Sequence, residues 1–138
     1  MPFIGSQYRT DSSDAALYGH SLGGLFALYA LFHEPAAFQR YLVSSPSIWW
    51  DKTVTLDVEE QFAAAHSDLA ARVFLSAGGL EEPSDSTFKM ISNVKTLADR
   101  LLGRNYASLS LTTHIFDDES HLSVSPSAIT RGLRKLYA

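Results

Sequence analysis

Apolar residues along the chain come in short runs, and runs of strand-like length alternate with longer runs of helical spacing. Residues 15–19, Ala-Ala-Leu-Tyr-Gly, form a short apolar stretch ending in small residues, and residues 22–32 follow as a stretch apolar almost all round. The first predicts a strand and the second a buried helix. Tyr41 to Ser44 predicts a short buried strand, broken by Ser45-Pro46-Ser47 before the aromatic pair Trp49 and Trp50. From Leu56 to Ala71 the spacing of Val58, Phe62, Ala65 and Leu69 fits a helix, and Arg72 to Ala77 is a third strand closed by Gly78-Gly79. A helix from Ser86 to Leu102 places Met90, Val94, Leu97 and Leu101 on one face, with Gly103 at its stop. Leu109 to Phe116 is a fourth strand, residues 117–121 a polar loop, and Pro126 to Tyr137 a last helix.

This β-α-β-α-β-α-β-α order predicts an α/β fold, a mainly parallel sheet of about four strands flanked by helices. Ligands of such sheets bind beyond the carboxyl ends of the strands, which is where the polar loops fall. Residues 1–138 suffice for a single domain with its own core.

Composition narrows the partners. The 15 acidic residues outnumber the 11 basic ones, for a net charge of −4, and no Lys/Arg cluster could neutralise a row of phosphates. Nucleic acid is therefore not expected as a partner. With no cysteine there is neither a disulfide nor a thiolate metal site, and no cofactor is expected. The first residues lack the basic start and apolar run of a signal peptide, and the longest apolar stretch is about half of the roughly 20 residues that span a bilayer. The expectation is a cytoplasmic protein without a membrane segment.

The chemistry centres on Gly19-His20-Ser21-Leu22-Gly23-Gly24, a G-x-S-x-G sequence directly after a strand and before a helix. A turn this sharp holds its serine in a strained conformation, so Gly19 and Gly23 are expected to avoid collisions two residues to either side. Ser21 is then the candidate nucleophile, and the N–H of Leu22 a candidate oxyanion donor. A phosphate-binding glycine turn is the other reading. It should bring a lysine or a ribose-binding acid, and the second strand leads instead into Ser45-Pro46-Ser47.

A serine hydroxyl is nearly inert at neutral pH and needs a histidine to take its proton and a carboxylate to orient that histidine. Chain order in this architecture is serine, acid, histidine. His121 is the one histidine in a polar loop after the last strand, and it is the candidate base. His33 and His66 lie on predicted helices and His114 within a strand, while His20 sits inside the elbow, where its ring packs or points to the substrate. For the acid, Glu81 follows Gly78-Gly79-Leu80, with Glu82, Asp85 and Asp117 as alternatives.

Taken together, Gly-His-Ser-Leu-Gly-Gly, Ser-Pro-Ser-Ile-Trp-Trp-Asp, the Gly-Gly-Leu-Glu turn and Ser-His-Leu-Ser-Val resemble the α/β-hydrolase esterase family that includes siderophore esterases and esterase D-like proteins. Tyr8-Arg9-Thr10 and the closing residues 131–137 share the likeness, which covers nearly the whole chain. The resemblance implies cleavage of carboxylic esters, in some members the lactone backbone of catecholate siderophores, without a metal. It implies Ser21 as nucleophile and His121 as base. Trp49 and Trp50 become either an aromatic wall for an acyl or catechol group or anchors to the core. Arg9 either attracts an anionic substrate or forms a structural ion pair.

Relative to that family the chain corresponds to a C-terminal half. The first strand is then expected to be an edge, and either a homodimer or a missing N-terminal half to cover it. The expected partner is a small-molecule ester. A truncated module acting only in assembly or ligand binding, and an acyltransferase of the same fold, are the competing classes.

Overall fold

A computed structural model describes residues 2–138. The elements run α1 (Pro2–Gln7), β1 (Ala16–His20), α2 (Leu22–His33), β2 (Arg40–Ser44), α3 (Trp50–Ala65), β3 (Ala71–Gly78), α4 (Glu81–Ser84), α5 (Met90–Gly103), β4 (Leu109–Phe116) and α6 (Val124–Leu136). The strands form one sheet in the order β1-β2-β3-β4, every neighbouring pair parallel. The expected α/β architecture is thus present. Alternate residues explain its two layers of core. Tyr41, Val43, Val73 and Leu75 face a large cluster with Leu28 and Leu31 of α2 and Val94 and Leu97 of α5. Leu42 and Phe74 face the opposite way, onto Ala128 and Leu136 of α6. A strand covered on both sides reads as a continuous apolar run, which is why β2 and β3 stood out in the sequence.

Helix boundaries depart from expectation: the helix predicted from Ser86 begins only at Met90, after a left-handed Lys89 at φ 46°. The predicted helix over residues 56–71 is displaced toward the N-terminus, since α3 ends at Ala65 and His66 is extended at φ −132° and ψ 132°. Residues 66–70 instead form a connection in which Asp68 accepts the backbone N–H groups of Leu69 and Ser108. Leu69, read as a helical position, is buried by that connection rather than by a helix. At its start α3 carries a left-handed turn, Asp51 to Thr53 with φ of 45°, 54° and 64°, so regular helix begins only beyond it. The short helices α1 and α4 had no periodicity to announce them.

β1 and β4 are the edges of the sheet. On the β1 side Tyr18, Leu22, Phe26 and Tyr29 are large apolar residues left 41–59% exposed. The apolar run of α2 predicts a wholly buried helix, yet only part of its circumference is covered, because no strand lies beyond β1 among the described residues. No helix among them is long and apolar enough to cross a membrane.

Glu59 on α3 is fully buried, and its carboxylate is gripped by Arg104 through two bonds of 2.9 and 3.1 Å. Without Arg104 that buried carboxylate keeps only the longer contact to Arg100 Nη1 at 3.8 Å, in place of two hydrogen bonds. Arg104→Ala is therefore expected to lower the unfolding free energy by about 3 kcal/mol, read from urea denaturation.

Candidate active site

The site is assembled from the ends of three strands. Ser21 follows β1, and its backbone sits at φ 58° and ψ −120°, a conformation only sparsely populated by non-glycine residues. Backbone bonds hold it on both sides: its N–H donates to the carbonyl of Ser44 at 3.0 Å and its carbonyl accepts the N–H of Ser47 at 3.0 Å. A side chain at Gly19 would place its Cβ 2.0 Å from the carbonyl oxygen of Gly23, so the elbow closes only on glycine there. At Gly23 the expectation fails, because an added Cβ would meet nothing within 4 Å. The steric demand falls instead on Gly24, where a Cβ would lie 2.9 Å from Pro46. The helix turns its third residue, not its second, into the β2 loop.

Glu81 follows β3 through Gly78 and Gly79, and its carboxylate is almost entirely buried. His121 lies in the loop after β4. That loop nests against the β3 turn, with the N–H of Leu80 donating to Glu119 at 3.0 Å and that of Gly79 to Phe116 at 2.7 Å. A Cβ on Gly78 would come 2.4 Å from the Glu119 carbonyl, so the approach that brings His121 to Glu81 depends on a bare backbone.

The three side chains form one hydrogen-bonded chain. His121 Nδ1 lies 2.8 Å from Glu81 Oε2, and His121 Nε2 lies 2.9 Å from Ser21 Oγ. An ionised carboxylate only accepts, so Nδ1 carries the proton, Nε2 is left as acceptor, and the Ser21 hydroxyl donates to it. Such a line can pass the serine proton to the imidazole while the carboxylate steadies the resulting charge. Glu82 does not reach the imidazole. Its carboxylate accepts the N–H and hydroxyl of Ser92 at 2.6 and 2.5 Å, and those bonds hold it below the usual range. Asp85 is likewise turned away, accepting the N–H of Thr87 at 2.9 Å.

Beside Ser21 and His121 opens a cavity of about 370 Å³. Its walls include Trp49, Phe88, Met90 and Leu122, with Asp85 at the same opening. The Trp49 and Phe88 rings are 4.7 Å apart. Trp49 thus lines the site, whereas Trp50 is about half exposed and rests against the Trp49 ring rather than on the cavity wall. His20 does not reach the cavity lining. Its ring packs on that of His121 at 4.7 Å, and Nδ1 lies 3.2 Å from Ser44 Oγ. Burial, and after it the neighbouring His121, hold His20 below the ordinary imidazole value of 6.5. Arg9 is exposed and lies outside the cavity. Leu22 opens α2, and its N–H has no partner within the helix.

Sequence reasoning missed Phe88, Met90 and Leu122, which read as ordinary apolar positions. It also missed two hydroxyls of the Ser-Pro-Ser break. Ser47 Oγ lies 3.4 Å from Ser21 Oγ, and Ser45 Oγ lies 2.5 Å from Glu81 Oε1. The signal was the pair of serines itself, in a turn that only one breaker was needed to make.

Sheet, elbow and strand-end site define the α/β-hydrolase class. Within it the chain belongs to the family described as "Putative esterase", which it matches over residues 1–114. It is 35% identical over 135 residues to the ferri-bacillibactin esterase BesA of Bacillus subtilis, covering 96% of this chain and 46% of that protein. To the siderophore enterobactin esterase of Emericella nidulans it is 35% identical over 145 residues, covering 91% of this chain and 48% of the other. The crystal structure of the BES protein from Bacillus cereus superposes with a TM-score of 0.84 at 36% identity, over 98% of this chain and 49% of that one. The chain spans about half the length of the curated relatives it matches.

Gly19→Ala is expected to destabilise the fold and abolish reactivity at Ser21, while Gly23→Ala leaves the melting temperature unchanged or raises it by replacing a helical glycine. Thermal denaturation of the two variants side by side checks the contrast.

Proposed function

We propose that this chain carries the acyl-transfer machinery of a serine carboxylesterase acting on siderophore-type esters. The observation behind this reading is the unbroken line from Ser21 through His121 to a buried Glu81. Ser21 Oγ attacks the ester carbonyl as His121 Nε2 takes its proton, and Glu81 stabilises the imidazolium. Negative charge on the carbonyl oxygen develops toward the N–H of Leu22. The imidazolium then protonates the leaving alcohol, and a water activated by the same ring frees the acid from the acyl-enzyme. Trp49 and Phe88 suit a flat aromatic portion of the substrate.

Losing one of two oxyanion donors costs about 100-fold to 1,000-fold in turnover, so acylation is the more sensitive measurement for a chain in which this reading assigns one donor. A fluorophosphonate probe is expected to label the wild type at Ser21 and not Ser21→Ala. His121→Ala should label at least about 1,000-fold more slowly, and Glu82→Gln at the wild-type rate. A wild-type protein that stays unlabelled overturns the proposal and favours a module serving assembly or ligand binding.

We further propose that the open side of β1 is covered, by a second copy of the chain or by an N-terminal half of the kind the relatives' greater length leaves room for. α2 has no acidic, lysine or arginine residue, so self-association of its exposed stripe meets no charge repulsion. A two-fold axis normal to the sheet would run β1 antiparallel to its copy and set α2 beside its copy. Sedimentation equilibrium at micromolar concentration is expected to show a dimer, and Phe26→Glu a monomer. A wild-type monomer overturns this assembly.

A further inference from the structure

The Ser45-Pro46-Ser47 break ends β2, a role that one proline would fill. Yet Ser45 is fully buried, and its backbone lies at φ 43°, in the left-handed region. A non-glycine residue there is disfavoured, and a fully buried hydroxyl must find a partner. Both features resolve at one atom. The left-handed turn folds the side chain across the end of the sheet toward β3, where Ser45 Oγ donates to Glu81 Oε1 at 2.5 Å. The Ser45 N–H donates to the carbonyl of Ser76 at 2.7 Å and locks the turn onto β3.

We propose that Ser45 is a positioning residue for the reaction, acting through Glu81. The inference rests on the reading of Ser21, His121 and Glu81 as catalytic. Glu81 has two oxygens and two tasks. Oε2 faces His121 Nδ1 at 2.8 Å, and Oε1 accepts the Gly78 N–H at 2.6 Å together with the Ser45 hydroxyl. Two donors on Oε1, from β3 and from the end of β2, fix the plane of the carboxylate, so that Oε2 presents a lone pair to the imidazole at a set angle. They also share the carboxylate charge between two sites. Without Ser45, Oε1 keeps one donor, the carboxylate is free to rotate, and more of its charge falls on the side of His121.

Glycine is the informative substitution, because it removes the hydroxyl while relieving the backbone at φ 43°. If Ser45 served only the turn, Ser45→Gly would fold at least as well and keep full activity. As a positioning residue it should lose about 10-fold or more in kcat, with KM for a p-nitrophenyl ester little changed. The acid limb of the kcat/KM profile should move to higher pH, since a less shared carboxylate favours the imidazolium. The titratable groups around His121 are Glu81, through which the substitution acts, and His20, with Asp85 lining the same cavity and Asp117, Asp118 and Glu119 on the loop that carries His121, and the substitution replaces none of them. Ser45→Ala removes the same hydroxyl without relieving the backbone, and should show the same kinetic loss with lower thermal stability.

Wild-type kcat and an unmoved pH profile in Ser45→Gly would overturn the proposal. Ser21→Ala, run alongside, separates that outcome from failure of the esterase reading. If Ser21→Ala turns over as fast as the wild type, the catalytic assignment falls and the role of Ser45 with it. If Ser21→Ala is dead and Ser45→Gly fully active, only the role of Ser45 falls.

Discussion

Parallel pairing of four strands is the constraint from which the site follows. Because β1 to β4 run in register and in one direction, their carboxyl ends lie side by side, and the first residues beyond each meet above a single rim. Ser21 leaves β1, Ser45 leaves β2, Glu81 follows β3 and His121 follows β4. Residues up to 100 positions apart then come within hydrogen-bond reach without any long excursion of the chain. An antiparallel pairing at any step would send one of these ends to the opposite rim. The core on both faces of β2 and β3 makes the register costly to shift, since a slip by one residue would turn Leu42 and Phe74 away from α6.

Two of the seven non-glycine residues with positive φ among the described residues sit at the same rim. Ser21 and Ser45 both hold positive φ, and each is pinned by backbone bonds to a neighbouring strand or loop. Uncommon backbone conformations persist where the surroundings over-determine them, and here they aim side chains that regular strand geometry would have left in the sheet faces. The strand ends therefore act as rigid supports, with reactive groups carried on the sharp turns that leave them. The β1 side is the opposite case. There, regular structure is complete, yet a strand edge and the apolar stripe of α2 lack cover from the described residues.

Much of this could be read before any coordinates, and the successes and failures have separate causes. β2 and β3 were legible because burial on two sides leaves unbroken apolar runs at residues 41–43 and 73–75. The shift of α3 was not legible, because Asp51 to Thr53 carry no glycine to signal a left-handed turn, and Leu69 keeps an apolar period in a segment that is extended. Gly23 satisfied the elbow motif without meeting the crowding expected of it, whereas Gly24, outside the minimal motif, touches Pro46. His20 and Trp50 shared the motifs of the site yet lie off the cavity wall, since adjacent side chains on a turn diverge.

The sequence alone determined the order of the elements, the candidate serine and histidine, and the neighbourhood of the candidate acid, because periodicity and motif context are local and each leaves its mark within a few residues. Tertiary structure decided which acid faces the imidazole, which hydroxyls grip that acid and the serine, and which apolar side chains make the cavity. Glu81 and Glu82 are chemically alike and adjacent, so only the packing of the β3 turn against the loop after β4 could send one to His121 and the other to Ser92. Distances between loops are set by the sheet that carries them, and that sheet exists only once remote strands have paired.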